Sequence, residues 1–205
     1  MKHVDFWFDV SSPFAYLGAA QIDALAARHD ATVSYRPFFL GALFKRIGTP
    51  EVPLFAASAP KQRYYYADLH RWADHIGVPF RFPTRFPMLS IKPLRMLISL
   101  PDAERPRLAH PLFRAYWAED RDISDDKTLA DIATSAGFDP APLLSATTDD
   151  QIKTKLRDAT EEAVQAGICG APTFIVNGLL FWGQDRLLFV EKALNGWVSA
   201  TEREA

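Results

Sequence analysis

Three short stretches hold the residues whose types and spacing can do chemistry: Asp9-Val10-Ser11-Ser12-Pro13, Ala171-Pro172-Thr173 and Gly183-Gln184-Asp185-Arg186. Ser12 stands where an apolar run gives way to a helix start, and the backbone N–H groups of such a start stabilise negative charge. With no Ser-x-Gly elbow and no evident His/Asp set beside it, its hydroxyl is poorly equipped as a nucleophile and suits donation to a bound anion. A thiolate is the natural anion, because donors and a helix dipole suffice to bring a thiol pKa from ~8.5 toward neutrality. The same serine also fits an ordinary helix cap. A cis bond at Ala171-Pro172 would leave the backbone groups of Ala171 free to pair with an extended peptide, and a trans proline in a loop is the other reading. Gly183 to Arg186 offers N–H groups to a carboxylate while Asp185 can pair with an amine, the two charges of an α-amino acid end; a routine acidic first turn fits equally.

Other candidates are weaker. Lys61 can reach an anionic ligand, although single lysines are mostly solvated surface groups. Tyr64, Tyr65, Tyr66 and Trp72 can line a pocket for a planar aromatic molecule or pack between elements. Cys169, the one cysteine, excludes a Cys-x-x-Cys redox pair and a multi-cysteine zinc cage, so thiol chemistry must borrow a thiol and no metal is expected. Lys plus Arg at 23 against Asp plus Glu at 25 leaves a formal charge of -2, without the basic excess that a phosphate backbone requires, so nucleic acid is not an expected partner. No apolar run approaches the ~18 residues of a membrane span. The start, Met-Lys-His-Val-Asp, lacks the features of a signal peptide, and a cytoplasmic protein is expected.

The elements that must position these residues can be read in turn. Val4 to Phe8 is apolar and aromatic, Phe14 to about Arg28 is apolar or small on nearly all faces, and Thr32 to Phe39 is β-branched and aromatic, which together predict a βαβ unit with Pro13 in the first helical turn. Thr173 to Val176 and Leu179 to Trp182 flank Asn177-Gly178, a hairpin signal, and a helix from about Asp185 to Val198 follows. Between these units lie helical patterns. Thr148-Asp-Asp-Gln151 has capping-box spacing, Gly77 and Gly137 look like helix stops, and Thr49 to Pro60 and Arg81 to Pro87 read as loops. Packing the two ends into one mixed sheet gives an α/β thioredoxin-like fold, residues 1–40 and 166–205, with an inserted all-helical domain, residues 41–165.

Phe8-Asp9-Val10-Ser11-Ser12-Pro13-Phe14-Ala15-Tyr16-Leu17-Gly18, then Gly167-Ile168-Cys169-Gly170-Ala171-Pro172-Thr173-Phe174, then Trp182-Gly183-Gln184-Asp185-Arg186, taken in order, resemble the 2-hydroxychromene-2-carboxylate isomerase family. Kappa-class glutathione transferases are close kin, and DsbA-type oxidoreductases more distant. The resemblance implies a glutathione cofactor, a small aromatic substrate, a homodimer, and a mechanism in which a glutathione thiolate adds reversibly to a conjugated ring-opened substrate. It selects Ser12 for the sulfur, with Pro13 and Phe14 beside it. Ala171 ahead of a cis Pro172 would meet the cysteinyl part, Gln184 and Asp185 the γ-glutamyl end, and Lys61 the glycyl carboxylate. Thr49 aligns where kappa-class enzymes carry an asparagine. Leu89 stands where an asparagine is frequent in the isomerases, which bears on the substrate and not on glutathione. A kappa-class-like transferase acting on other electrophiles or peroxides is the alternative.

Overall fold

The computed structural model describes residues 1–200. The chain opens with strand β1 (Lys2–Phe8), helix α1 (Pro13–Arg28) and strand β2 (Ala31–Pro37), and closes with strands β3 (Thr173–Val176) and β4 (Leu179–Trp182) and helix α10 (Leu187–Leu194). The four strands form one sheet in the order β2-β1-β3-β4, with β2 parallel to β1 and the rest antiparallel. The apolar alternation of β1 explains the layering. Val4, Phe6 and Phe8 share one face and are fully buried, Phe6 standing between Tyr35 of β2 and Phe174 of β3 at ring distances of 5.0 and 5.3 Å. Each such ring contributes about 1.5–3 kcal/mol by leaving water. α1 and α10 lie together against the sheet. At Gly18 a side-chain carbon would stand 3.2 Å from both the Phe174 ring and Pro172. The bare backbone there lets α1 close onto the segment that precedes β3.

Between β2 and β3 run α2 (Leu40–Ile47), the short α3 (Pro53–Ala56), α4 (Ala59–Ile76), α5 (Ile91–Ser99), α6 (Arg105–Trp117), α7 (Asp126–Ser135), α8 (Pro140–Ala146) and α9 (Asp150–Gln165). The architecture is a thioredoxin-like core with an inserted helical subdomain. The insertion is tied to the core by buried and half-buried polar bonds, among them Trp117 Nε1–H to the Val10 carbonyl at 2.8 Å, Tyr16 O–H to the Pro79 carbonyl at 2.6 Å and Phe39 N–H to Thr160 Oγ1 at 3.0 Å. Among the described residues no helix is long and apolar enough to cross a membrane.

Local signals fare well where they are strong. Asn177 and Gly178 take φ of 52° and 82°, as a tight hairpin turn requires, and Gly77 ends α4 in the left-handed region at 78°. Three expectations are corrected. α9 is capped by Asp149, whose carboxylate accepts from the N–H groups of Gln151 and Ile152 at 2.8 and 3.0 Å, while Thr148 Oγ1 bonds back to the Ser145 carbonyl. The ionised acceptor is the stronger cap. The stretch Thr49 to Pro60 is not all loop, because Pro53 opens α3. The last helix is shorter than 185–198, being a 3-10 turn (Gln184–Arg186) followed by α10, which stops at Asn195 before Gly196 at φ 83°. Residues 201–205, counted with the core in the sequence analysis, lie outside the described residues.

Candidate functional site

A cleft of about 1130 Å³ opens between the core and the insertion. One wall comes from Ser11 to Phe14, Cys169 to Ala171 and Trp182 to Arg186, with Gln184 omitted; the other from α2, the segment Thr49 to Ala57, Lys61 and Tyr65 of α4, and Phe86 to Ser90. Pockets for one small molecule run from ~300 to 1,000 Å³, so the volume accommodates a tripeptide and a second small ligand together.

Ser12 sits at the floor. Pro13, with φ already fixed, begins α1, and Ser12 is its N-cap: Oγ accepts from Ala15 N–H at 3.2 Å. The same oxygen donates to the Ala171 carbonyl at 2.8 Å, so the hydroxyl joins the helix start to the residue before β3 across 159 positions of sequence. The capping role is therefore observed, and the hydroxyl's own proton is engaged by the Ala171 carbonyl. The Ser12 proton is held by a carbonyl in this state, and aiming it at a ligand requires the O–H to turn. The Ala171–Pro172 bond is cis, as is Phe86–Pro87 on the opposite wall. The Pro172 carbonyl accepts from Gly183 N–H at 2.9 Å, which fixes the Gly183-Asp185-Arg186 turn beside Ala171. Trp182, just over half exposed at 55%, lays its indole against Gly170 so closely that a side-chain carbon there would meet Nε1.

Four charged residues line the cleft: Glu51 and Lys61 on the insertion side, Asp185 and Arg186 on the core side. Asp185 pairs with Arg186 at 2.8 Å on one side. Lys61, in the first turn of α4, has its ammonium 5.6 Å over the Tyr65 ring on the other. A cation in a first helical turn opposes the helix dipole, and a bound carboxylate offsets that. Burial pushes the Cys169 thiol upward, so the chain's own sulfur is not activated.

The chain matches the family described as DSBA-like thioredoxin domain over residues 3–195. It is 30% identical to a 2-hydroxychromene-2-carboxylate isomerase of Sphingobium xenophagum, the match covering 94% of this chain and 98% of that one. The chain belongs to the 2-hydroxychromene-2-carboxylate isomerase family. A solved structure of an isomerase of this name superposes with a TM-score of 0.86 at 25% identity, covering 95% of both chains. A kappa-class glutathione transferase of Caenorhabditis elegans is 27% identical over 83% of this chain and 79% of its own length.

Within this isomerase-family chain, Ser12, Pro13, Phe14, Thr49, Lys61, Ala171 and Asp185 are brought to one cleft. Pro172 lies behind Ala171 and shapes it without lining the space. Gln184 is buried, its side-chain oxygen accepting from Gln21 Nε2 at 3.3 Å, so its side chain is directed into the core and not into the cleft. The aromatic cluster divides: Tyr65 lines the cleft, Tyr66 packs on Phe82 at 4.7 Å, Trp72 packs against the core, and Tyr64 is exposed. Leu89 lies on the cleft wall, largely exposed.

Two residues received no role from the sequence. Trp182 was visible only as part of a motif. Asp9, fully buried behind Ser12, accepts from Ser11 N–H and Leu40 N–H at 2.9 Å each. The Asp-x-Ser spacing signals the first of these bonds, an Asx-turn, and nothing local signals the second.

Proposed function

We propose that this chain is a glutathione-dependent isomerase interconverting 2-hydroxychromene-2-carboxylate and trans-o-hydroxybenzylidenepyruvate, with Ser12 as its catalytic residue. The observation that carries the reading is a donor hydroxyl at the N-terminus of a buried helix, beside a cis-proline segment, on the floor of a cleft with room for two ligands. The residues present fit glutathione by charge order. Asp185 and the turn it opens suit the α-amino acid end, the Ala171 backbone and Ser12 the cysteinyl part, and Lys61 with Thr49 a terminal carboxylate.

When bound, glutathione supplies a thiolate that can add to a conjugated double bond and leave again, with no net redox change. The chain's own part is to lower that thiol's pKa and hold it. Ser12 O–H turns from the Ala171 carbonyl to the sulfur, and the free N–H groups and dipole of α1 favour the anion. The apolar surface of Phe14, Phe86, Met88, Leu89 and Trp182 excludes water and receives a planar aromatic ring. No protein nucleophile is needed, so the effect is one of electrostatics and proximity.

The test is the ultraviolet-monitored interconversion of the two compounds by the purified protein, with and without glutathione. Turnover that requires glutathione supports the reading; turnover without it, or none, refutes it. The kappa-class relative supports a second reading, conjugation of electrophiles at the same thiol site. Accumulation of a stable glutathione adduct without chromene isomerisation favours that one. A cytoplasmic homodimer, binding neither nucleic acid nor membrane, goes with either reading and is checked by sedimentation and cell fractionation.

A further inference from the structure

Asp9 has no part in the chemistry above, yet it lies directly behind Ser12. It is fully buried and forms no ion pair among the described residues. Its two oxygens reach in different directions: Oδ1 accepts from Ser11 N–H and Oδ2 from Leu40 N–H, while its own carbonyl accepts from Ser12 N–H at 3.0 Å. Leu40 is the first residue of α2, and Ser11 and Ser12 lead into α1. Ser90, which precedes α5, turns its buried hydroxyl toward the same carboxylate, outside ordinary hydrogen-bond geometry. Two backbone N–H groups, one from the turn into α1 and one from the start of α2, thus converge on one buried acid, with the Ser90 hydroxyl ahead of α5 facing it. Ser12, Leu40 and Ser90 all line the cleft and Asp9 does not.

We propose that Asp9 is the positioning residue of the thiol site: its carboxyl group ties the Ser11–Ser12 turn to the start of α2 and so fixes the Ser12 hydroxyl relative to the opposite wall. This rests on the reading that Ser12 serves a glutathione thiol. An ordinary capping role does not explain the arrangement. Asp125, Asp139 and Asp149 cap exposed helix starts within three residues of themselves, whereas Asp9 bridges 31 positions of sequence from inside the core. Asparagine cannot replace it, because one of its two side-chain positions becomes an NH₂ facing a backbone N–H, and one tether is lost.

The sign of the effect separates position from charge. Any charge that Asp9 carries lies behind the sulfur, so removing that charge alone lowers the bound-thiol pKa, while misplacing Ser12 raises it. The other charged groups on the cleft, Glu51, Lys61, Asp185 and Arg186, are unaltered by the substitution. The experiment is the kcat–pH profile at saturating glutathione for the full chain and for Asp9→Asn, with Asp139→Ala as a cap-loss control. We expect the rising limb in Asp9→Asn to move up by about one unit, with kcat below the limb down about tenfold, and the control to match the unsubstituted protein. A limb that stays in place or moves down, or a control that moves equally, overturns the role of Asp9 while leaving the isomerase reading intact. Absence of glutathione-dependent turnover in the unsubstituted protein overturns both. Should Asp9→Asn not fold, amide NMR of the unsubstituted protein decides: Ser11 and Leu40 N–H should titrate with one midpoint, Tyr116 of α6 being the other titratable group nearby, and both should shift on adding glutathione. Independent behaviour of the two amides refutes the tether.

Discussion

Replacing Ser12 with alanine removes two hydrogen bonds of one oxygen, and the structure assigns each a separate readout. The bond from Ala15 N–H is a helix cap, worth about 1 kcal/mol, and the 2.8 Å bond to the Ala171 carbonyl is buried, worth about 1 kcal/mol more. The sum, about 2 kcal/mol, lowers Tm by about 4–8 °C in a chain of this size. The effect on a bound thiol is a difference. A hydrogen bond to an anion gives about 1.5–3 kcal/mol, less about 1 kcal/mol for the carbonyl bond that the hydroxyl gives up, leaving about 1 kcal/mol or a little more. That is about one pKa unit, hence a rate about tenfold lower at pH values below the thiol midpoint. The assay is the pH–rate profile of isomerisation at saturating glutathione, run with calorimetry on the same samples. Ser12→Gly sharpens it, since glycine is tolerated as an N-cap at a cost of a few tenths of a kcal/mol yet has no hydroxyl. The glycine variant should keep most of the cap's share of stability, losing mainly the roughly 1 kcal/mol of the Ala171 bond, and show the full shift in the profile. A fall in Tm with an unmoved profile in both variants would mean that Ser12 is a cap and nothing more.

Lys61→Met should raise KM for glutathione severalfold with Tm within about 1 °C, because among the described residues this exposed lysine contacts the Tyr65 ring alone, a contact worth ~0.5–1 kcal/mol; unchanged KM argues against its carboxylate role. Gly170→Ala should push the Trp182 indole aside, shifting tryptophan emission and weakening glutathione binding, at a stability loss near the low end of ~1–3 kcal/mol because Trp182 is free to swing outward; an unaltered emission spectrum contradicts the contact. Asp9 is held above its ordinary value of 3.8 by desolvation, so the native state binds this proton more tightly than the unfolded chain. Its contribution to stability is fully present below pH 3.8 and is lost as pH rises through the native pKa, so Tm of Asp9→Asn relative to the unsubstituted protein should increase from pH 3.8 upward. A difference independent of pH contradicts that assignment.

The chain's own letters determine what is decided within a few residues. Pro13 is costly inside a helix but suits its first turn, which puts Ser12 at the cap; Asn177-Gly178 accepts positive φ and makes the hairpin; the period-two pattern of β1 buries Phe6 and Phe8. The motifs that hold these residues, in their order along the chain, carry the family resemblance that implied a common site for Ser12, Ala171 and Asp185. Where two local signals competed, as at Thr148 and Asp149, spacing alone chose the weaker acceptor. Other features depend on partners far away in sequence. Gln184 turns inward because Gln21 of α1 is there to meet it, the Ser12 proton rests on a carbonyl 159 positions distant, and Asp9 has its second oxygen on the first N–H of α2. A side chain's direction is set by which buried polar groups need a partner once the elements have packed, and that need does not exist until the tertiary structure creates it.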